Sequence, residues 1–226
     1  TNEANRIEGV KAMKRSIDIA RRVGASAIVI HAGHTTPDHD KLEKKLRELL
    51  DAGQRDSDEY RSIHARMLEV RAEHVTASFA AVRKSILELL AYAVPSRICL
   101  GLENRYHYLE HPSPAELGIL LDLAGPEQLG FIYDIGHAET LSRLGFYPKN
   151  EWLERFAPRV IGAHLHDVIT TADHYAAGLG DADFDNVAAF LPENAFRTCE
   201  FQESNTPEQV KAGLKFLVEH GCIKTL

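Results

Sequence analysis

Cysteine is scarce in this sequence of 226 residues, which contains only Cys99, Cys199 and Cys222. An odd number at wide spacing is no disulfide framework, and it favours a reducing, cytoplasmic compartment. Cys99 and Cys199 lie inside apolar runs, so we expect both to be buried. No apolar run approaches the length of a membrane span. The first residue is not Met, and we expect a fragment or a processed form.

Positive charge is also in short supply. The chain has 26 Lys and Arg against 33 Asp and Glu, which gives a formal net charge of −7. This balance argues against nucleic-acid binding, because phosphate contacts depend on Lys and Arg. The glycine-rich fingerprints of dinucleotide-binding folds and P-loop proteins are missing too, so these phosphate-cradling folds lack their signature.

Short apolar stretches alternate with helical patterns along the chain. An apolar content of 44% is typical of a globular protein with a sizeable core. Alternation of strand and helix predicts parallel strands that are covered by helices. The segment 40–92 is charged and predicted to be almost entirely helical, with the loop after it starting at Pro95. The predicted strands are 27–31, 97–103, 130–135, 160–166 and 196–201.

Each predicted strand ends in residue types that commonly bind metals. Parallel strands deliver their carboxyl ends to one rim, so we expect these side chains to converge there. Two glutamates, one aspartate and one histidine would suit Mn²⁺, Mg²⁺, Co²⁺ or Zn²⁺. In chain order the strand ends carry His31 and His34, Glu103, Asp134 and His137, His164 and His166, and Glu200.

Every one of these residues also has an ordinary structural explanation. Glu103 could pair with Arg105, Glu200 could pair with Arg197, and His137 could cap the following helix. The recurrence at all five strand ends favours a shared site over five separate coincidences. The remaining histidines lack this placement and are interpreted as surface or structural residues: His39, His64, His74, His107, His111 and His220.

Taken together, these motifs resemble the xylose isomerase-like TIM-barrel superfamily, and within it the sugar phosphate isomerase/epimerase group, which is related to endonuclease IV. The resemblance runs from about Gly9 to the C-terminus. It implies that Glu103, Asp134, His164 and Glu200 bind one divalent metal. The stretches that carry it are Leu102–Asn104, Tyr133–His137, Gly162–Asp167, His174–Phe184 and Cys199–Phe201.

The resemblance implies a (β/α)8 TIM-barrel fold in a single domain over 1–226. Only five strands are recognisable, so the domain lacks the first three barrel strands, and the helical segment 40–92 is longer than the family's helices. We expect a fragment, an open barrel or a barrel completed by another chain, because a five-stranded arc leaves two edges unpaired. Thr170 stands where related epimerases have an arginine.

The activity implied is proton transfer on a sugar, a sugar phosphate or a related hydroxy-carbonyl compound through an enediolate. Glu103 and Glu200 would exchange the proton, while His137 and His166 would stabilise the developing oxygen charge or orient hydroxyls. His137 and His174 would lie beside the metal, in contact with the substrate or a further metal, and His31 would bind the substrate. Its partner would be a small carbohydrate-like substrate, and no membrane would be involved. The chain could also form a homo-oligomer.

Two other functions fit the same residues. An endonuclease IV-like zinc phosphodiesterase acting on abasic DNA would use His31, His137 and His174 as additional zinc ligands. The acidic charge argues against this alternative. The second is a metal-binding relative that no longer catalyses a reaction.

Overall fold

A computed structural model describes residues 2–36 and 40–224 of the chain. Five parallel strands form one curled half-barrel sheet, in the order β1-β2-β3-β4-β7, and β5 and β6 form a separate antiparallel hairpin. The strands are β1 (Ala27–Ile30), β2 (Cys99–Glu103), β3 (Leu129–Asp134), β4 (Val160–Leu165), β5 (Asp167–Ile169), β6 (Ala172–Tyr175) and β7 (Phe196–Cys199).

Helices connect the successive strands of the sheet and cover its outer face. Several begin at side-chain caps, and the residues Ser113 and Thr206 form complete capping boxes with Glu116 and Gln209. The α-helices are α1 (Glu3–Val23), α2 (Asp40–Asp51), α3 (Asp58–Ala93), α4 (Pro114–Leu121), α5 (Ile135–Arg143), α6 (Glu151–Phe156), α7 (Phe184–Phe190) and α8 (Pro207–Glu219).

The register of the sheet places the carboxyl ends of its strands along one rim. Ile30 of β1 pairs with Leu102, the residue before Glu103, and Asp134 at the end of β3 pairs with His164. Because the side chains of a strand alternate between faces, Leu102 points to the helices while Glu103 points to the inner face. The strand ends therefore present polar side chains on the concave side of the sheet.

Apolar packing divides into two clusters that share the long helix α3. The larger cluster joins the sheet to the helices and includes Leu100, Phe131 and Ile86. The smaller one lies where α2 packs on the first half of α3, and it includes Leu46 and Met67. The 36 residues of α3 thus bridge two packing units, and α2 is held close to the loop that follows β2.

The structure confirms the five parallel strands and the helical segment, but it corrects several details. The stretch 167–175, which follows the predicted strand 160–166 and was not among the predicted strands, forms the hairpin of β5 and β6. Helix α5 begins at Ile135, because the Asp134 side chain accepts a hydrogen bond from the His137 amide and caps the helix. Cys99 and Cys199 are half-buried. Among the described residues, no helix is long and apolar enough to cross a membrane.

Candidate functional site

Carboxylates from three strand ends converge on the imidazole of His164, which lies near the end of a fourth strand. Its Nδ1 atom lies 2.8 Å from Glu200 Oε2, 3.0 Å from Glu103 Oε1 and 3.5 Å from Asp134 Oδ2. These residues follow or end β2, β3, β4 and β7, so residues that are up to 97 positions apart along the sequence meet at one point. The convergence predicted from the strand ends is therefore present in the structure.

The His164 ring nitrogen has an unusual environment. Nδ1 is buried, and none of the three surrounding oxygens is placed to accept a hydrogen bond from it. Burial alone would lower the pKa of His164, but the carboxylates of Asp134, Glu103 and Glu200 outweigh it and raise that pKa to about 12. Three carboxylates around one imidazole nitrogen favour a positive charge at this point, which a proton or a metal cation can supply.

Glu103, Asp134, His164 and Glu200 form a cluster, in which Glu103 is almost completely enclosed. Only 2% of its side chain is exposed. One oxygen, Oε1, faces His164, while Oε2 lies 2.9 Å from Arg105 Nη1 and 2.6 Å from His31 Nε2. Burial would raise the pKa of Glu103, but the adjacent imidazoles of His164 and His31 lower it to about 2. Glu103 is therefore held as a carboxylate with one oxygen directed to the cluster.

Asp134 is fully buried, and its backbone and side chain are fixed by separate partners. The Asn104 side chain donates to the Asp134 carbonyl at 2.8 Å and accepts from its amide at 2.8 Å. His166 Nε2 lies 3.1 Å from both carboxylate oxygens of Asp134. Burial opposes ionisation, yet His137, His166 and His164 hold the pKa of Asp134 well below its ordinary value.

His166 is fully buried and has both ring nitrogens engaged. Nε2 contacts Asp134, and Nδ1 accepts a hydrogen bond of 2.9 Å from the His174 amide. The His174 ring stacks on the His166 ring with centroids 4.3 Å apart and planes 5° apart. This geometry favours a role for His166 in orienting Asp134, whereas a contact with substrate requires a free nitrogen.

His137 lies at the start of α5, beside the cluster. Its Nδ1 lies 2.9 Å from the carbonyl of Asn104 and 3.8 Å from Glu103 Oε1. Its Nε2 lies 3.7 Å from Asp173 Oδ2, on strand β6. His137, Asp173 and the neighbouring His174 thus make a second group of possible ligand atoms next to the first.

Comparisons with known proteins identify the fold. A model of the xylose isomerase-like TIM barrel family matches residues 1–220. The chain belongs to this family. The resemblance inferred from the strand-end motifs is thereby confirmed. No curated protein sequence matches the chain.

Solved structures of sugar epimerases share the fold. A D-tagatose 3-epimerase-like protein has 20% identity and a TM-score of 0.68, over 97% of this chain and 71% of that one. The 3-keto-D-glucoside 4-epimerase from E. coli has 15% identity and a TM-score of 0.63, over 96% and 73% of the two chains. An L-ribulose 3-epimerase has 12% identity and a TM-score of 0.54, over 96% and 60%. At such identities the likeness concerns the fold.

The cluster of this xylose isomerase-like chain fits a divalent cation on its own geometry. The ligand atoms of Asp134, His164 and Glu200 lie within 4.8 Å of one another, and so do those of Glu103, Asp134 and His137. The donors are carboxylate oxygens and imidazole nitrogens, which suit Mn²⁺, Mg²⁺, Co²⁺ or Zn²⁺. The buried Nδ1 of His164, which has no hydrogen-bond acceptor in line, also fits a cation.

Three residues around the cluster were missed as site residues in the sequence. Asn104 and Arg105 follow Glu103 directly, so a search of the residues just beyond each strand would have found them. Asp173 lies outside the five predicted strands, and the hairpin brings it to His137. The alternative pairing of Glu200 with Arg197 is not formed, since Arg197 donates to the carbonyls of Ala195 and Cys222.

Gly136 is the backbone position where the cluster tolerates no side chain. A Cβ there would lie 2.1 Å from Cε1 and 2.7 Å from Nδ1 of the buried His166 ring. We expect G136A to lower the free energy of unfolding by about 1–3 kcal/mol, because the His166 ring cannot move without breaking its contacts. Denaturant unfolding measures the change, with G125A as the control, since nothing lies within 4 Å of a Cβ at Gly125. Equal stability of the two variants would show that His166 is free to shift.

Proposed function

We propose that the chain is a divalent-metal-dependent isomerase or epimerase of a sugar, a sugar phosphate or a related hydroxy-carbonyl compound. The observation that carries the proposal is the meeting of Glu103, Asp134 and Glu200 around Nδ1 of His164. Its support from known proteins is the fold shared with structures that are named as sugar epimerases.

Glu103, Asp134, His164 and Glu200 would hold the metal. A bound divalent cation would polarise the substrate carbonyl and acidify the neighbouring C–H bond. Glu200 and Glu103 would remove that proton and return one at the same or the neighbouring carbon. Both have a lowered pKa, which keeps them ionised at neutral pH, the form that binds a metal and the form that a general base requires.

The two carboxylates differ in access to water, and this assigns them different tasks. Glu200 has 43% of its side chain exposed, while Glu103 is enclosed by Arg105 and His31. Glu200 can exchange its proton with solvent, whereas a proton on Glu103 would be shielded. His137 and His174 border the cluster and would form hydrogen bonds with substrate oxygens as negative charge develops.

Deuterium incorporation tests the proposal. The protein is incubated in D₂O with Mn²⁺, Co²⁺, Mg²⁺ or Zn²⁺ and with D-tagatose, L-ribulose or D-allulose, sugars named in the structural neighbours. We expect deuterium next to the carbonyl of at least one ketose, and loss of the exchange when a chelator removes the metal. Proton NMR follows the signal. A protein that binds metal at the cluster and exchanges no proton in any hydroxy-carbonyl substrate would contradict the proposal and favour an inactive relative.

A zinc phosphodiesterase is the second candidate, and one specific observation favours it. His137, Asp173 and His174 form a second group of possible ligands beside the first. The metal content of the purified protein separates the two functions. A content of about one ion per chain supports the isomerase, whereas about three zinc ions with cleavage of abasic DNA support the phosphodiesterase.

A further inference from the structure

Helix α2 carries none of the strand-end residues of the cluster, yet one of its side chains reaches the edge of the site. The Arg47 guanidinium donates to the carbonyl of Tyr106 at 2.8 Å and to the carbonyl of Thr171 at 3.2 Å. Its carbon Cζ also lies 3.8 Å from the centre of the Tyr106 ring, which is a cation–π contact. Arg47 therefore joins the loop after β2 to the turn of the β5–β6 hairpin.

Arg47 is itself fixed by a buried carboxylate. Nε of Arg47 donates to Glu43 Oε1 at 3.1 Å, and Nη2 bonds the same oxygen. The Glu43 carboxylate also accepts from the Tyr108 amide at 2.9 Å and lies 3.0 Å from His107 Nδ1. Because a planar guanidinium with several partners has little freedom, its position is determined by the helix and the loop together.

The hairpin turn receives further bonds at the same place. The Tyr106 hydroxyl donates to the Thr171 carbonyl at 2.6 Å, and the Thr171 hydroxyl donates to Asp51 Oδ1 at 3.3 Å. Arg143 donates to the carbonyl of Thr170 at 3.1 Å. Thr170 has a φ of 53°, a conformation that is unfavourable for a β-branched residue and persists only where neighbours hold it.

The held strand carries two residues of the candidate site. Asp173 and His174 follow the turn directly on β6, with Asp173 Oδ2 3.7 Å from His137 Nε2. His174 stacks on His166 and has a φ of 63°, so its backbone is also in a conformation that needs support. A turn released from Arg47 would free Asp173 and His174 together.

We propose that Arg47 is a positioning residue, which fixes the β5–β6 hairpin so that Asp173 and His174 lie beside His137. The contacts of Arg47 are with Glu43, Thr171 and Tyr106, so it acts through the turn and through Tyr106. Its effect on turnover rests on the proposed function. Its effect on the hairpin does not, and the two are measured separately.

The test uses four variants of the full chain. R47K keeps the charge but lacks the planar fork that bonds Glu43 and both carbonyls together, and R47M removes the charge. R47M takes one cationic partner from the buried Glu43 and can destabilise α2, so the double variant E43Q/R47M removes that charge as well. K45M is the matched control, since Lys45 lies on the same helix and its contact is an exposed pair with Glu59 at 3.6 Å.

Two readouts report the hairpin without any substrate. Amide hydrogen exchange of the segment 167–175 should speed up by at least about tenfold in R47K and E43Q/R47M, with β2 unchanged, because hydrogen bonds from a charged group are lost. The ring resonances of His174 should move, since its stacking on His166 depends on the hairpin. K45M should match the wild type in both measurements.

Measuring the rate of proton exchange connects the role of Arg47 with the proposed function. We expect kcat for proton exchange to fall in R47K with a smaller change in KM, because the metal cluster itself is untouched. Normal hairpin exchange and unchanged His174 resonances in E43Q/R47M would overturn the positioning role. A loosened hairpin in a chain with no exchange activity would uphold that role and reject the proposed function.

Discussion

The variant E200Q is expected to exchange deuterium into a ketose substrate about 10²–10⁴-fold more slowly than the wild type. Glutamine keeps the size of the side chain and an oxygen near His164 but cannot carry a proton. Glu200 is the half-exposed carboxylate of the cluster, and the His164 imidazole 2.8 Å away holds its pKa below the ordinary value. Losing it should remove the step that connects the substrate proton with solvent.

The measurement separates proton transfer from metal loss. Exchange is followed at metal concentrations that saturate E200Q, as determined by calorimetric titration of Mn²⁺. E203Q is the matched control, because Glu203 is exposed three residues further along the chain. Exchange at the wild-type rate in metal-loaded E200Q would mean that another group carries the proton.

A loss of stability of about 3–5 kcal/mol is expected for R71M, because it leaves a buried carboxylate without its cation. Arg71 is 6% exposed, and its guanidinium lies 2.8 Å and 2.7 Å from the two oxygens of Glu116. It also donates to the carbonyls of Tyr108 and Glu110 at 2.6 Å and 2.9 Å. Through these bonds α3 holds the loop that follows Glu103.

Chemical denaturation measures the loss, and R66M serves as the control. Arg66 lies on the same helix but makes exposed pairs with Glu69 and Glu73 at 3.0 Å and 3.1 Å. We expect R66M to change stability by less than about 1 kcal/mol. The double variant R71M/E116Q should recover part of the loss, since no buried charge is left alone. Equal stability of R71M and R66M would rule out a structural role for the pair.

The same pair gives the unfolding free energy a defined pH dependence. Burial would raise the pKa of Glu116, but His111 and Arg71 outweigh it and hold the pKa below its ordinary value of 4.5. The folded state therefore binds the Glu116 proton more weakly than the unfolded state. The stabilisation is complete above pH 4.5 and is lost as the pH falls through the lower folded value. In E116Q this part of the acid dependence should disappear. The difference in unfolding free energy between the wild type and E116Q should therefore narrow as the pH falls below 4.5.

The order of strands and helices and the residues at the strand ends could be derived from the sequence. Apolar stretches such as 130–135 carry a local signal, and parallel topology then places every strand end at one rim. Glu103, Asp134, His164 and Glu200 could be grouped on that basis alone. Their roles in binding a metal and moving a proton remain predictions.

Contacts between distant segments could not be derived in this way. Arg47 and Thr171 are 124 positions apart, and Asn104 is 30 positions before Asp134. No periodicity connects such residues. The hairpin, its contact with Arg47 and the bonds between Asn104 and Asp134 therefore form only when the elements pack. The sequence by itself determined which chemical groups stand at the rim, because that depends on local pattern and chain direction. The tertiary structure decided which oxygen and nitrogen atoms meet and what holds them, because those distances depend on how α2, α3 and the hairpin pack around the sheet.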